Sequence, residues 1–332
     1  MKNYYSLHIS EWNKAIEKVL SDYLIYAPIK NDFTLDYELI NQTNISEILY
    51  NIPKPTTPIK TLFLPIKENV TNDKPNQKRI IIGTPNCDIQ GLKILDEIYL
   101  DKDFWDSTYH AKRENTLLIS TPCFDTQEYC HCSVYGINPF PTEVADISLS
   151  KVDTKINLEI LSDKGEKFIA ELKGFASISK SAETDLKDIE LKQSKVEKQI
   201  HSNNSGLPDY KKTGDIVQQA TEETWKRYSS KCVSCGACAT ICPTCTCFLL
   251  IDKPNFEKVR QLDACQYPAF ERVAGGEDNL HQLPKRFKNR YFCKYVWKPE
   301  KFKSLACTGC GRCIEACIAK INKNELFREF AS

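Results

Sequence analysis

No run of about 18 apolar residues occurs in the chain, so nothing reads as a membrane span. The opening stretch MKNYYSLHISEWNKAIEKVL also lacks the apolar core and small-residue cleavage site of a secretory signal, because His, Glu, Asn and Lys interrupt it. Net charge is nearly absent: 45 Lys+Arg against 44 Asp+Glu leave +1, which argues against a polyanion-binding face and so against nucleic acid as a partner. Nucleotide and hydrolase signatures are missing too. There is no G-x-G-x-x-G after a strand, no P-loop and no G-x-S-x-G nucleophile elbow. The histidines (His8, His110, His131, His201, His281) are scattered and form no H-E-x-x-H. A chain without a hydride site is expected to carry no flavin of its own.

What the chain has is cysteine, 16 in 332 residues. None precedes Cys87 and none falls between Cys132 and Cys232; four lie in 87–132 and twelve in 232–317. A cytoplasmic chain, the expectation here, keeps its thiols reduced, so this many point to metal rather than to disulfides. The uneven spread and the length suggest two modules. The expected architecture is an α/β domain over 1–205, followed by a small two-cluster, ferredoxin-like helical domain over 206–332.

Local patterns fill in the first module. Trp12, Ile16, Val19, Leu20 and Leu24 have helical spacing. Arg79–Thr84 and Thr116–Ser120 read as buried strands, ended by Pro85-Asn86 and Thr121-Pro122. Asp88 is expected to cap a helix running through Tyr99. Cys87 and Cys123 then both sit just beyond a strand's carboxyl end, the rim where open α/β sheets bind ligands. Residues 151–175 suggest a hairpin turning near Lys164-Gly165. Leu186–Ile200 reads as a charged surface helix, 201–208 as a polar linker, and 215–228 as a helix leading into the first cysteine motif.

Two motifs carry the chemistry. Cys232-Val-Ser-Cys235-Gly-Ala-Cys238-Ala-Thr-Ile-Cys242-Pro243 has the spacing C-x2-C-x2-C-x3-C-P, and Cys307, Cys310, Cys313 and Cys317 repeat it with Ile318 in place of proline. In bacterial two-cluster ferredoxins the first three thiolates hold one cubane and the fourth reaches to the other. Cys232, Cys235, Cys238 and Cys317 are therefore assigned to one [4Fe–4S] cluster, and Cys307, Cys310, Cys313 and Cys242 to a second. Gly236 and Gly311 let the backbone turn closely around each cube. Structural zinc prefers two pairs of ligands and does not require this doubled spacing.

Cys87, Cys123, Cys130 and Cys132 make a candidate third [4Fe–4S] site. The alternatives there are plain buried cysteines, or zinc with His131 replacing a thiol. Cys245 and Cys247 follow directly on a ligand and read equally as ligands or as residues hydrogen-bonding to cluster sulfurs. Cys265 is able to join them, but no fourth cluster is expected, and Cys293 reads as a solitary core residue.

Taken together, Cys242-Pro-Thr-Cys-Thr-Cys247-Phe, Ala274-Gly275-Gly276, Cys310-Gly-Arg-Cys313, Pro85-Asn-Cys87-Asp88-Ile-Gln-Gly91-Leu and Cys123…Cys130-His-Cys132 resemble the beta subunit of sulfhydrogenases and the corresponding electron-transfer subunit of anaerobic sulfite reductase. The resemblance covers nearly the whole chain and is weakest before residue 55 and in 150–215. Two departures are Ile318 for the proline and Cys293 where a histidine is expected. The resemblance implies a hetero-oligomeric electron-transfer subunit. It would dock on a ferredoxin-reductase-like FAD/NAD(P)H subunit, relaying electrons to or from a catalytic oxidoreductase subunit of hydrogenase, sulfite reductase or heterodisulfide-reductase type. It also implies that Cys87, Cys123, Cys130 and Cys132 ligate an extra cluster. The rival readings are an N-terminal cluster that itself acts on a sulfur substrate, and a structural metal-binding module.

Overall fold

The structure, a computed structural model, describes residues 3–71 and 77–331. Its strands are β1 (Tyr4–His8), β2 (Leu24–Lys30), β3 (Leu35–Leu39), β4 (Lys67–Asn69), β5 (Arg79–Thr84), β6 (Thr116–Ser120), β7 (Ile147–Val152), β8 (Lys155–Ile160), β9 (Ser179–Lys180), β10 (Phe248–Asp252) and β11 (Lys258–Leu262). Eight of them form one mixed sheet in the order β3-β2-β5-β6-β7-β8-β1-β9. The run β2-β5-β6-β7 is parallel, and the flanking pairs are antiparallel.

The central strands need apolar residues at successive positions because both faces of the sheet are covered. Ile80, Ile82, Leu117 and Ile119 join a core with Trp12, Ile16, Phe168 and Leu172, from the helices Ile9–Val19 and Asp163–Leu172. Ile81 and Leu118 point the other way, onto Phe63, Leu92, Leu95 and Tyr109. The helices Asn86–Tyr99 and Ser107–Glu114 close that face. Beyond residue 205 the core is an aromatic, largely helical cluster that includes Tyr210, Trp225, Phe287, Tyr291, Tyr295 and Phe327. A mixed α/β N-terminal part followed by a helical C-terminal part is the expected class. The two parts share a small sheet, β10-β11-β4, in which Arg260 pairs with Glu68 in register and also through an ion pair of 2.7 Å. Among the described residues no helix is long and apolar enough to cross a membrane.

Several local expectations are corrected. The first helix ends at Val19, and Leu24 opens β2 instead. The hairpin turns at Asp153-Thr154 between β7 and β8. Lys164-Gly165 lies in the first turn of a helix whose N-terminus is closed by Ser162, its hydroxyl accepting from the Gly165 amide at 3.1 Å. Phe168 and Leu172, four apart, fit a helix face as well as an alternating strand, and the Ser162 cap decided between them. The charged helix spans Glu183–Asn203 and so takes in the start of the expected linker. The helix expected over 215–228 is two, Tyr210–Gln219 and Glu222–Ser229, with Thr221 capping the second. Asp88 lies inside its helix rather than capping it, because its carboxylate is committed elsewhere.

Candidate metal centres

Each cysteine motif bends on a glycine in the left-handed region. Gly236 (φ +72°) and Gly311 (φ +78°) precede the short helices Ala237–Thr240 and Arg312–Glu315. A Cβ at either position would stand 2.5 Å from the Tyr267 ring or the Tyr129 carbonyl oxygen, so only glycine fits. The bends draw the thiols around two cavities. One is lined by Cys232, Cys235, Cys238, Cys313 and Cys317. The other is lined by Cys307, Cys310, Cys313 and Cys242. Cys313 borders both. The first cavity takes three cysteines from the first motif and two from the second, and the other takes three from the second motif and Cys242 from the first, so both are lined from both motifs.

The N-terminal thiols gather as well. Cys87 opens the helix after β5 and Cys123 follows β6. Cys132 packs with Cys123 and Cys130 in one cluster. Burial pushes the Cys87 thiol well above its ordinary range, with Asp88 and the neighbouring Cys310 and Cys132 adding to it. Burial does the same to Cys123, reinforced by Cys132 and Cys130. Thiols crowded in this way resist ionisation until a positive metal core offsets them. His131 is not free to act as a ligand. It is fully buried, its Nδ1 donates to the Tyr129 carbonyl at 2.8 Å, and its Nε2 accepts from the Lys323 ammonium at 3.0 Å. Among the described residues no three His, Cys, Asp or Glu side chains converge as a single-ion site. Zinc with His131 therefore has no geometry here.

This third group abuts the second motif. The His131 amide donates to the Gly309 carbonyl at 2.8 Å, and Gly309 has φ +68°. A Cβ on Gly309 would meet the Cys132 backbone at 2.6 Å. Gly309→Ala is accordingly expected to cost about 1–3 kcal/mol of stability from overpacking alone. Anaerobic denaturation would check it, and an unchanged midpoint would refute the tight contact. Lys54, almost fully buried, bonds Glu315 at 2.7 Å and Gln127, with the Cys130 sulfur 3.9 Å away. The Arg312 guanidinium, inside the second motif, reaches back to Asp88, the residue after Cys87.

Cations also stand between the two cavities. Arg290 lines both and donates to the Cys238 carbonyl at 3.1 Å. Lys294 donates to the Cys242 sulfur at 3.0 Å and the Ala306 carbonyl at 3.2 Å. Burial opposes the charge on Lys294, yet the Cys242 and Cys245 thiols hold its pKa well above the usual lysine range. None of Lys54, Arg290 or Lys294 stood out from the sequence, and Asp88 did so only as a helix cap and as part of the 85–92 motif. Arg312 alone carried a signal, by its place between two ligand cysteines.

Residues 231–321 match a family described as a 4Fe-4S dicluster domain. Over its length the chain is similar to Sulfhydrogenase 2 subunit beta of Pyrococcus furiosus, at 30% identity with 98% of each chain covered.

Proposed function

The chain belongs to the sulfhydrogenase beta-subunit family, and we propose on that premise that it relays single electrons between a flavin-bearing, NAD(P)H-oxidising partner and a catalytic subunit. One observation supports the reading: cysteines of both motifs line two cavities that share Cys313, and Cys123, Cys130 and Cys132 pack together where Cys132 abuts Gly309 of the second motif. When bound, [4Fe–4S] clusters would supply one-electron chemistry at potentials set by charge, hydrogen bonding and burial. Cys232, Cys235, Cys238 and Cys317 hold the first, Cys307, Cys310, Cys313 and Cys242 the second, and Cys87, Cys123, Cys130 and Cys132 the third. Arg290 and Lys294 offset the negative charge, while Phe287, Tyr291 and Tyr295 keep water out. Cys235 is exposed, and beside it Val233 and Ile318 present 61% and 68% of their surface. That apolar rim suits a redox partner docking over the first centre. On this reading 1–205 and 206–332 are functional modules of one cytoplasmic member of a hetero-oligomer.

Paired variants test the ligand sets. Cys317→Ser and Cys232→Ser strike the same centre, so the double variant is expected to lose about four irons, no more than either single variant. Cys317→Ser with Cys307→Ser is expected to lose about eight. Additive loss in the first pair would rule out the crossed sets. For the relay, the tagged chain purified anaerobically is expected to bring down a flavoprotein that oxidises NAD(P)H. A chain that emerges alone with its iron intact counts against it.

A further inference from the structure

Cys245, Cys247, Cys265 and Cys293 take no part in the three centres above. The hairpin β10–β11 brings two of them face to face. Its ladder pairs Phe248 with Leu262, and one step further the Asp263 amide donates to the Cys247 carbonyl at 3.0 Å. That bond sets Cys247 opposite the 263–265 segment that carries Cys265. Cys245 is buried in one apolar cluster with Ala264, the residue before Cys265. On the helical side the Lys298 amide donates to the Cys293 carbonyl, and the Lys298 ammonium reaches the Thr244 carbonyl and the Thr246 hydroxyl, just before Cys247. The Gln266 amide nitrogen stands 3.8 Å from the Cys265 sulfur.

Two cations, Lys60 buried and Lys298 half-buried, supply the second observation. Lys60 is 1% exposed, and its ammonium donates to the carbonyls of Thr240 at 3.0 Å and Cys245 at 3.2 Å. Lys298 donates to the Thr244 carbonyl at 2.8 Å and the Thr246 hydroxyl at 3.2 Å. None of these partners is a carboxylate. The other buried cations are accounted for: Lys54, Lys112, Arg260 and Arg312 have carboxylates. Arg290, Lys294 and Lys323 line the two ferredoxin-type cavities, and Arg286 reaches the Ser234 hydroxyl inside the first motif. Lys60 and Lys298 reach the 244–246 segment, with Lys60 also bonded to Thr240 at the end of the first motif. Ammonium groups taken out of water need an anion close by. Neutral core thiols do not provide one.

We propose that Cys245, Cys247, Cys265 and Cys293 hold a fourth [4Fe–4S] cluster. Four thiolates around a 2+ core leave a net charge of about −2, the charge that Lys60 and Lys298 lack. The four thiols release their protons as the metal binds. Cys245 and Cys247 then serve a cube separate from the one that Cys242 serves, which removes the crowding that the sequence suggested for them. The site lies at the base of an exposed hairpin, since Phe248, Leu249 and Leu250 are 39%, 44% and 56% exposed. It would give the wire an end apart from Cys235.

This inference rests on the cluster-wire reading but not on which partners the wire serves. The test is iron and acid-labile sulfide per chain in anaerobically purified full-length protein, with Mössbauer spectra of the 57Fe-grown sample. About sixteen irons in cubane form are expected, falling to about twelve in Cys247→Ser and in Cys265→Ser. The spectra of the parent protein keep the count independent of whether the variants fold. About twelve irons in the parent, unchanged in both variants, overturns the proposal. So does a Cys247–Cys265 disulfide found by mass after alkylation, or zinc in place of the extra iron. Cys310→Ser is the control: if it loses no iron, or the parent binds none, the wire reading fails first.

Discussion

Arg312→Leu is expected to lower the unfolding free energy by about 3–5 kcal/mol, the usual consequence of removing one partner from a buried ion pair. The guanidinium meets both Asp88 carboxylate oxygens, at 2.5 and 2.9 Å, and its Nε donates to the Pro55 carbonyl at 3.0 Å. The two side chains are 2% and 0% exposed. Burial penalises the Arg312 charge, but Asp88, Cys310 and Cys87 outweigh it and its pKa stands well above the usual range. Leucine would leave the Asp88 carboxylate in a dry site with only the Ile59 amide, at 3.3 Å, for a partner. Lysine is a poor substitute, because a point charge cannot make the bidentate contact. Anaerobic guanidinium denaturation measures the loss. A drop below about 1 kcal/mol would show the pair to be incidental. Pairing Arg312→Leu with Asp88→Leu should recover much of the stability, because two apolar groups of similar volume often match a buried ion pair. Arg312 lies between Cys310 and Cys313, and Asp88 follows Cys87, so the same variant loosens the seam between the second motif and the helix that carries Cys87.

Lys294→Met is expected to lower the midpoint potential of the centre that Cys242 serves by on the order of 0.1 V. The ammonium lies 3.0 Å from the Cys242 sulfur and is 3% exposed, so solvent screens it little. At an effective dielectric constant of 20, a unit charge about 4 Å away is worth about 4 kcal/mol. For a one-electron couple that is somewhat above 0.1 V, at 59 mV for each factor of ten. The sign follows from charge: removing a cation makes it harder to add an electron. Methionine keeps most of the volume, so the change is mainly electrostatic. An EPR-monitored redox titration of the parent and the variant reads the shift directly. A potential that stays in place or rises would mean that Lys294 only supports Thr244 and the Ala306 carbonyl, its other partners.

How much was legible beforehand follows from range along the chain. The strands Arg79–Thr84 and Thr116–Ser120 were readable because central parallel strands must be apolar at every position. The 4Fe–4S dicluster domain was readable because the ligand spacing is itself the motif. Misreadings came where two periods fit the same residues. Phe168 and Leu172 suit a helix face as well as a strand, and only the Ser162 hydroxyl decides. Asp88 looked like a cap because its partner lies 224 positions away.

Sequence alone determined that the chain carries a 4Fe–4S dicluster domain, and it is the basis on which eight cysteines are proposed to form two ferredoxin-type sets. Those properties are written in spacings of two and three residues. Tertiary structure alone decided that Cys87, Cys123, Cys130 and Cys132 lie against the second motif. It also decided that His131 is already bonded through both ring nitrogens, and that lysines and arginines surround the thiols. The physical reason is common to all three. A buried charge or a crowded backbone is satisfied by whatever the fold brings next to it, and closeness in space leaves no regular interval in the sequence.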